Sequence, residues 1–403
     1  MPVHFYAYLF AAALTNLVTT ALSVALGWHI YQHSGNPFDL AIIGLMQIIP
    51  TFLFFFVTGW VVDSFSRKMV LIACVLGEAI ALAALGTVML HGDFDLTLVF
   101  FLLFLNGSFR AFYFPAKQAI IPNLVSTKQL PKAIALSSTV SNVAMTGGPL
   151  ISGLLIALID LQIYGLLAAA LGLAGLAYLL LPRLARVEMA PRTWETLIGG
   201  VNYARSNPIV LGAIAIDLFI VLLGSVVTLL PIYALDILFI GPEQLGVLRG
   251  MPAFGAVIAG IILASMPPMR QCGRKLFIAL LVFAGSIILF ALSSHYWLSV
   301  LALFVYGAAD MISVNIRISL VQMATPDHLR GRVSALNGIF IVTSNEMGDV
   351  RAGSTAAFLG PVATAFIGGV MACGVVVAGY LLFPQLRKLD RIKDAAPDEA
   401  MQI

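Results

Sequence analysis

The sequence predicts an all-helical integral membrane protein that crosses the bilayer many times, with both termini in the cytoplasm. The 403-residue chain is 60% hydrophobic and only 10% charged, and its mean hydropathy is +1.00. A soluble core of this size cannot bury so much apolar surface. Apolar stretches of about 20 residues recur along the whole length, and each is long enough to span a hydrocarbon core as a helix. Lysine and arginine residues cluster in alternate connections.

Twelve apolar segments are predicted to be transmembrane helices. They are continuously apolar rather than alternating, which excludes a closed β-barrel. The first segment has no basic start and no small-residue cleavage site, so we do not expect a cleaved signal peptide. The twelve segments span residues 5–31, 40–62, 69–90, 96–121, 133–158, 163–182, 208–235, 243–266, 275–293, 296–323, 333–359 and 362–383.

The distribution of positive charge predicts the orientation of the chain. Seventeen of the 22 lysine and arginine residues fall in the connections after segments 2, 4, 6, 8 and 10 and in the C-terminal tail. The connections on the other side carry acids such as Asp39 and Asp160 instead. Because basic residues accumulate on the cytoplasmic side, both termini are predicted to be cytoplasmic. The net charge of +3 therefore follows from topology and predicts no nucleic-acid partner.

The chain divides into two halves that look like a duplication. One offset of 207 residues carries Arg67 onto Arg274 and Arg110 onto Arg317. Equivalent charges at one offset indicate an internal repeat, so we predict two pseudo-symmetric bundles of six helices. The predicted boundaries are an N-terminal bundle at 1–182, a cytoplasmic linker at 183–207, a C-terminal bundle at 208–384 and a cytoplasmic tail at 385–403.

Ten ionisable side chains lie inside the predicted segments. Each costs about 2.5–3.5 kcal/mol at mid-membrane unless it is paired or faces water. Acids and bases are present in equal numbers, which is compatible both with structural ion pairs and with a transport site. The acids are Glu78, Asp217, Asp310, Glu346 and Asp349, and the bases are Arg110, Lys117, Arg249, Arg317 and Arg351.

Helical spacing places many polar residues of the segments in stripes. The fourth segment aligns Asn106, Arg110, Tyr113 and Lys117 on one face. Small polar residues alone are explained by helix packing, but lipid excludes charged stripes, which therefore predict a polar cavity. The predicted substrate cavity is lined by Asn16, Thr20, Gln47, Asn106, Arg110, Tyr113, Lys117, Asn142, Arg249 and Arg317.

Four acids are candidates to carry a proton through a transport cycle, because desolvation disfavours the charged form of a carboxyl group. These are Asp217, Asp310, Glu346 and Asp349. On the eleventh segment, helical geometry directs Arg351 about 140° or more away from the two acids that precede it, so it is predicted to reach a neighbouring helix. Glu78 is expected to be a structural acceptor or the partner of a nearby base. Arg351 and Glu78 are therefore assigned to a charge network.

Several motifs resemble a known family. The stretch GWVVDSFSRK, residues 59–68, is similar to the signature loop between helices 2 and 3 of the major facilitator superfamily. GGPLISG, residues 147–153, resembles the glycine-proline motif of its exporters. The stretch TPDHLRGRVSALNGIFIVTSNEMGDVRAG, residues 325–353, looks like the branch that contains the enterobactin exporter. The resemblance covers essentially the whole chain.

The resemblance implies a fold and a mechanism. The fold is the major facilitator fold, in which two six-helix bundles rock around a central cavity. The mechanism is secondary active export by alternating access, with protons as the usual coupling ion. The resemblance also implies a gating role for Gly59, Asp63, Arg67 and Lys68, in which Asp63 holds the outward-facing state. Taken alone, the charges of this cluster are explained by topology.

We therefore predict a proton-coupled antiporter in the inner membrane of a bacterium. It would export an amphipathic organic molecule, and an anionic siderophore is a candidate. A multidrug or macrolide efflux pump is the alternative within transport, and a lipid flippase or a non-transporting membrane scaffold is the alternative of another class. No enzymatic activity, cofactor or metal is expected, because no nucleophile, metal or phosphate-binding motif is present. The expected partners are a small-molecule substrate, protons and membrane lipid, and the chain is expected to act as a monomer.

Overall fold

The computed structural model describes residues 1–91, 95–126, 128–182, 194–267 and 269–395, apart from the side chains at 55, 56, 63, 194–198, 327, 328 and 335. These residues are almost entirely helical and contain no β-strand, which confirms the predicted fold class. Nine helical stretches among them are long and apolar enough to cross a membrane. The count of twelve crossings and the cytoplasmic position of the termini stay predictions.

The helices of the first half follow the predicted segments, with one difference. The predicted second segment consists of two helices that meet at Phe54. Pro50 lies inside the first of them, and a proline removes one helical hydrogen bond and bends the axis. The helices are α1 (Val3–Ser34), α2 (Pro37–Leu53), α3 (Phe55–Ser64), α4 (Arg67–Met89), α5 (Leu96–Leu124), α6 (Leu130–Ile159) and α7 (Ile163–Leu179).

The second half also follows the prediction except at its first apolar segment. That segment breaks after Gly224 and continues through a 3-10 turn (Val227–Leu229), the single turn α10 (Leu230–Ile232) and a π-helical stretch (Tyr233–Ile237). Pro231 cannot donate a backbone N–H here, which disfavours a continuous α-helix. The other helices are α8 (Trp194–Ser206), α9 (Pro208–Gly224), α11 (Pro242–Ser265), α12 (Cys272–Ala291), α13 (Tyr296–Met323), α14 (Asp327–Leu359), α15 (Pro361–Leu382) and α16 (Pro384–Lys388).

The chain forms two compact units. One comprises the described residues of 1–35, 42–191 and 240–250, and the other those of 36–41, 192–239 and 251–403. In the first unit α1 packs on α6 and α7, and α4 packs on α5 and α7. In the second unit α9 packs on α14 and α15, and α12 packs on α13 and α15. Each unit thus repeats one scheme of helix pairing, as the internal repeat predicts.

The glycine-proline motif of α6 permits close helix packing inside the first unit. A Cβ atom on Gly153 would lie 2.4 Å from the carbonyl oxygen of Pro242 and 2.8 Å from the Cα of Gly246. A Cβ on Gly246 would in turn lie 2.7 Å from the carbonyl oxygen of Pro149. Only glycine allows these two backbones to approach so closely.

Candidate functional site

The second unit contains a buried cluster of two aspartates around one arginine. Arg317 of α13 forms an ion pair with Asp217 of α9, and its Nη2 lies 3.9 Å from Oδ1 of Asp310. The guanidinium also donates to the hydroxyl and the carbonyl of Ser313, at 3.2 and 3.3 Å. Arg317 and Asp217 are buried and Asp310 is half-buried. One buried cation therefore stabilises two carboxyl groups. A change of charge at either acid changes the electrostatic energy of the other.

These charged groups line a small cavity. Its volume is about 110 Å³, well below the roughly 300–1,000 Å³ of a pocket that encloses a whole organic ligand. The cavity can hold water or one functional group of a larger molecule. Its polar lining comes from Asp217, Tyr306, Asp310, Arg317, Asn337 and Asn345.

The charged stretch of α14 contacts the end of α9. Asp349 accepts a hydrogen bond from the hydroxyl of Ser225. Arg351 donates from Nε to the carbonyl of Leu222 at 3.1 Å and from Nη2 to the carbonyl of Ser225 at 3.2 Å. Arg351 therefore reaches a neighbouring helix. Glu346, one turn before Asp349, is half-buried.

Arg110 and Lys117 are cations of the first unit whose hydrogen-bond partners are neutral. Arg110 of α5 is exposed and donates from Nη1 to Oε1 of Gln47 at 3.2 Å. Lys117, two turns further along α5, donates to Oδ1 of Asn16 at 3.1 Å, and Asn16 donates to Ser141 at 3.0 Å. The ammonium group lies 5.9 Å from the centroid of the Tyr113 ring. These contacts orient both cations without neutralising them.

The remaining candidates of the first unit differ in their exposure. Thr20 donates to carbonyls of its own helix, at 3.1 Å, Asn106 is buried and Asn142 is exposed. Arg249 donates from Nη2 to the hydroxyl of Ser23 at 3.4 Å. Glu78 is buried, and its Oε1 has no hydrogen-bond partner among the described residues. Of the charged groups, Arg110 acts on Glu78 electrostatically.

The signature-loop residues connect helix ends within the first unit. Arg67, at the start of α4, donates to the carbonyl of Ala119 at 2.9 Å and to Oδ1 of Asn123 at 2.6 Å. Lys68 donates to the carbonyls of Leu179, at 2.8 Å, and Leu181. Gly59 and Asp63 lie on α3, and the side chain of Asp63 lies outside the described part of the chain. Arg67 is buried, so this basic residue takes part in packing.

Several residues that complete these sites were not among the predicted candidates. Ser225 and Asn337 carry no local signal in the sequence, because their roles depend on which helices are neighbours. Tyr178, whose hydroxyl lies 2.9 Å from that of Tyr113, is unpredictable for the same reason. Tyr306 precedes Asp310 by four residues, and helical spacing alone places the two on one face.

The described residues contain no group of three or more histidine, cysteine or acidic side chains that could hold a metal ion. The three cysteines, Cys74, Cys272 and Cys373, are free thiols.

Comparisons with known proteins identify relatives along most of the chain. The model of the Major Facilitator Superfamily matches residues 8–344. The enterobactin exporter EntS of Salmonella choleraesuis (strain SC-B67) is 25% identical over 349 residues, which cover 86% of this chain and 83% of that protein. EntS of Escherichia coli O81 (strain ED1a) is 26% identical over 344 residues, 85% of this chain and 82% of that protein.

Solved structures share the fold at lower sequence identity. A peptide transporter POT in complex with sulfate has a TM-score of 0.75 at 13% identity, covering 97% of this chain and 96% of that one. The nucleoside transporter NupG has a TM-score of 0.71 at 16% identity, covering 95% and 99%. At these identities the likeness concerns the fold alone.

Proposed function

Because the chain belongs to the Major Facilitator Superfamily, whose members are transporters, we propose that it is an exporter that exchanges protons for an amphipathic organic molecule of the siderophore class. Membership of this family makes the chain a membrane transporter rather than an enzyme. The proposal includes export by alternating access, proton coupling, location in the inner membrane of a bacterium and action as a monomer. The division into bundles at 1–182 and 208–384 belongs to the same proposal.

The observation that carries proton coupling is the pair of aspartates around Arg317 at the edge of a cavity. Antiport requires that a proton and the substrate compete for one group. An ionised carboxylate accepts hydrogen bonds from substrate hydroxyl groups, and protonation removes much of that acceptor strength. Asp310, the more exposed of the two acids and the one farther from the guanidinium, is therefore the proposed site of competition.

The substrate class is supported by the first unit and by the relatives. Arg110 and Lys117 donate their hydrogen bonds to amide oxygens rather than to carboxylates, so neither is committed to an ion pair through these bonds. Arg110 offers an exposed guanidinium, whose planar fork suits a carboxylate or a catecholate. Lys117 lies beside an aromatic ring. The relatives at 25–26% identity are named enterobactin exporters, so a catechol-bearing siderophore is the first substrate to test.

Purified protein in proteoliposomes tests the proposal directly. We expect uptake of labelled enterobactin into proteoliposomes with an acidic lumen, through the molecules whose cytoplasmic face points outward, and loss of uptake when an ionophore collapses the gradient. The Asp310→Asn variant should exchange enterobactin without responding to the gradient. Gradient-driven uptake of a labelled macrolide but not enterobactin would support the multidrug alternative. Redistribution of a fluorescent phospholipid without uptake of either compound would support a flippase and contradict the proposal.

A further inference from the structure

The break after α9 is a buried helix end inside the second unit. α9 ends at Gly224, and the chain turns at Ser225 and Val226, which are both buried, before the next helical turn begins. The last carbonyl groups of any helix lack partners within the helix. Within a bilayer these carbonyls must find partners in the protein, because no bulk water reaches them.

Arg351 supplies that partner for two carbonyls at once. Its Nε donates to Leu222 and its Nη2 to Ser225, at 3.1 and 3.2 Å. The C-terminal end of a helix carries partial negative charge, and broken helices of transporters hold cations at such ends. Here a guanidinium that belongs to the chain occupies this position. Its planar fork matches two carbonyls, which the single ammonium group of a lysine does not.

The side chain of Asp349 also binds this turn of the chain. Ser225 donates its hydroxyl to Asp349 while its carbonyl accepts from Arg351. The helices come close enough for this because residue 348 is glycine: a Cβ there would lie 3.0 Å from the Cβ of Ser225. A single turn of α14, residues 348–351, therefore holds Ser225, the first residue after α9, on two sides.

We propose that Asp349 and Arg351 form a proton-sensitive clamp on the end of α9, which holds Ser225 while Asp349 is ionised and loosens when Asp349 takes up a proton. The hydrogen bond from Ser225 is strengthened by charge only in the ionised state. Asp217 lies eight residues before Ser225 on α9, so the clamp also positions the carboxylate that pairs with Arg317. Both clamp residues are positioning residues.

Several helices that pack against α14 carry charged or titratable groups, as does α14 itself. Glu346 and Arg351 lie on its own helix, and Tyr306 of α13 interacts with it electrostatically. α9 contributes Asp217, and the first turn of α2, which meets α14 at Gly353, contributes Asp39. α15 carries no acid, lysine, arginine or histidine. Among these groups Arg351 is the cation that favours the ionised form of Asp349.

Hydrogen–deuterium exchange of the full-length protein in detergent tests the clamp without any substrate. The peptide that covers residues 220–230 reports the end of α9. After correction for the intrinsic rate, we expect exchange to become about tenfold faster when the pH is lowered through the titration of Asp349, the effect of losing one charge-assisted hydrogen bond. Ser225→Ala and Asp349→Asn should exchange rapidly at every pH, and Arg351→Lys should raise the rate at every pH.

Ser286→Ala is the matched control, because Ser286 is a buried serine of α12 whose hydroxyl donates to the carbonyl of Phe283 in its own helix and to no other helix among the described residues. It should keep the wild-type pH response. A wild-type rate that does not change with pH, or a pH response that survives in Ser225→Ala, would overturn the clamp. If Asp349→Asn fails to fold, Ser225→Ala alone carries the test. The link from the clamp to transport rests on the proposed proton coupling. The hydrogen–deuterium exchange experiment does not depend on that coupling, so the clamp and the proposed function can fail separately.

Discussion

Arg110 and Arg317 occupy equivalent positions in the two halves of the chain, 207 residues apart, yet their surroundings are opposite. Arg317 is buried and held by two aspartates, whereas Arg110 is exposed and held by a glutamine. The helix pairing around them is the same in both units. A repeated scaffold therefore carries two different charge arrangements: the second half surrounds its arginine with acids, and the first half gives its arginine a neutral hydrogen-bond partner. Under the proposed function, the first arrangement would serve proton exchange and the second would bind an anionic ligand.

Removal of Arg317 should have the largest effect. Arg317→Ala leaves two carboxyl groups in a buried site without their cation, and breaking such a pair costs about 3–5 kcal/mol. We expect a sharply lower thermal midpoint in detergent and loss of transport. The double variant Arg317→Gln with Asp217→Asn should recover most of the stability. A thermal midpoint that is unchanged in Arg317→Ala would contradict the conclusion that Arg317 stabilises two buried carboxyl groups.

Removal of Arg110 should affect binding and leave stability intact. Because this side chain is exposed and its hydrogen-bond partner is neutral, Arg110→Ala should change the free energy of unfolding by less than about 1 kcal/mol, including the loss of its electrostatic interaction with Glu78. Loss of a hydrogen bond to a charged group should weaken enterobactin binding by about ten- to a hundredfold. Arg110→Lys should restore part of the affinity, since it keeps the charge without the fork. Tryptophan fluorescence titration measures the enterobactin affinity of both variants. An affinity that is unchanged in Arg110→Ala would show that Arg110 is not part of the substrate site.

Neutralisation of Asp310 should separate exchange from coupling. Arg317 keeps its ion pair with Asp217 in this variant, so Asp310→Asn should fold normally. Counterflow of labelled substrate should persist, while its rate should no longer respond to the imposed pH gradient. The matched change Asp95→Asn, at an exposed acid that caps α5 by accepting from the backbone N–H of Thr97, should leave the pH response as in the wild type, because asparagine caps a helix equally well. If the counterflow rate of Asp310→Asn still responds to the pH gradient, the coupling site lies elsewhere.

The smallest effect is expected at Glu78, the buried acid of the first half. Its Oε1 has no hydrogen-bond partner among the described residues, and burial of an unsatisfied polar group is costly. Glu78→Met, which removes that group at similar volume, should stabilise the protein by about 1 kcal/mol. A rise in the thermal midpoint checks this. A strong destabilisation would show instead that Glu78 and Arg110 interact as Asp217 and Arg317 do.

The sequence predicts the helices well because hydropathy and length decide whether a segment can cross a bilayer. It also predicts that charges inside segments need partners, and the ion pair between Asp217 and Arg317 satisfies that requirement. The identity of each partner depends on which helices are neighbours, so the contacts of Arg351 with Leu222 and Ser225 were not predictable. The break after Gly224 was missed because 208–235 has one charged residue, Asp217, and only isolated polar ones, so its hydropathy is that of a continuous span. Hydropathy does not report backbone geometry.

The signature-loop cations have a practical consequence for experiments on membrane orientation. Arg67 and Lys68 contribute to the positive charge from which the topology is predicted, but both also connect the start of α4 to the ends of α5 and α7. A charge-reversal variant at these two positions would loosen the bundle as well as change the insertion signal. Lys128 and Lys132 are exposed. They are therefore the positions at which charge can be moved to probe insertion while the packing of the helices stays intact.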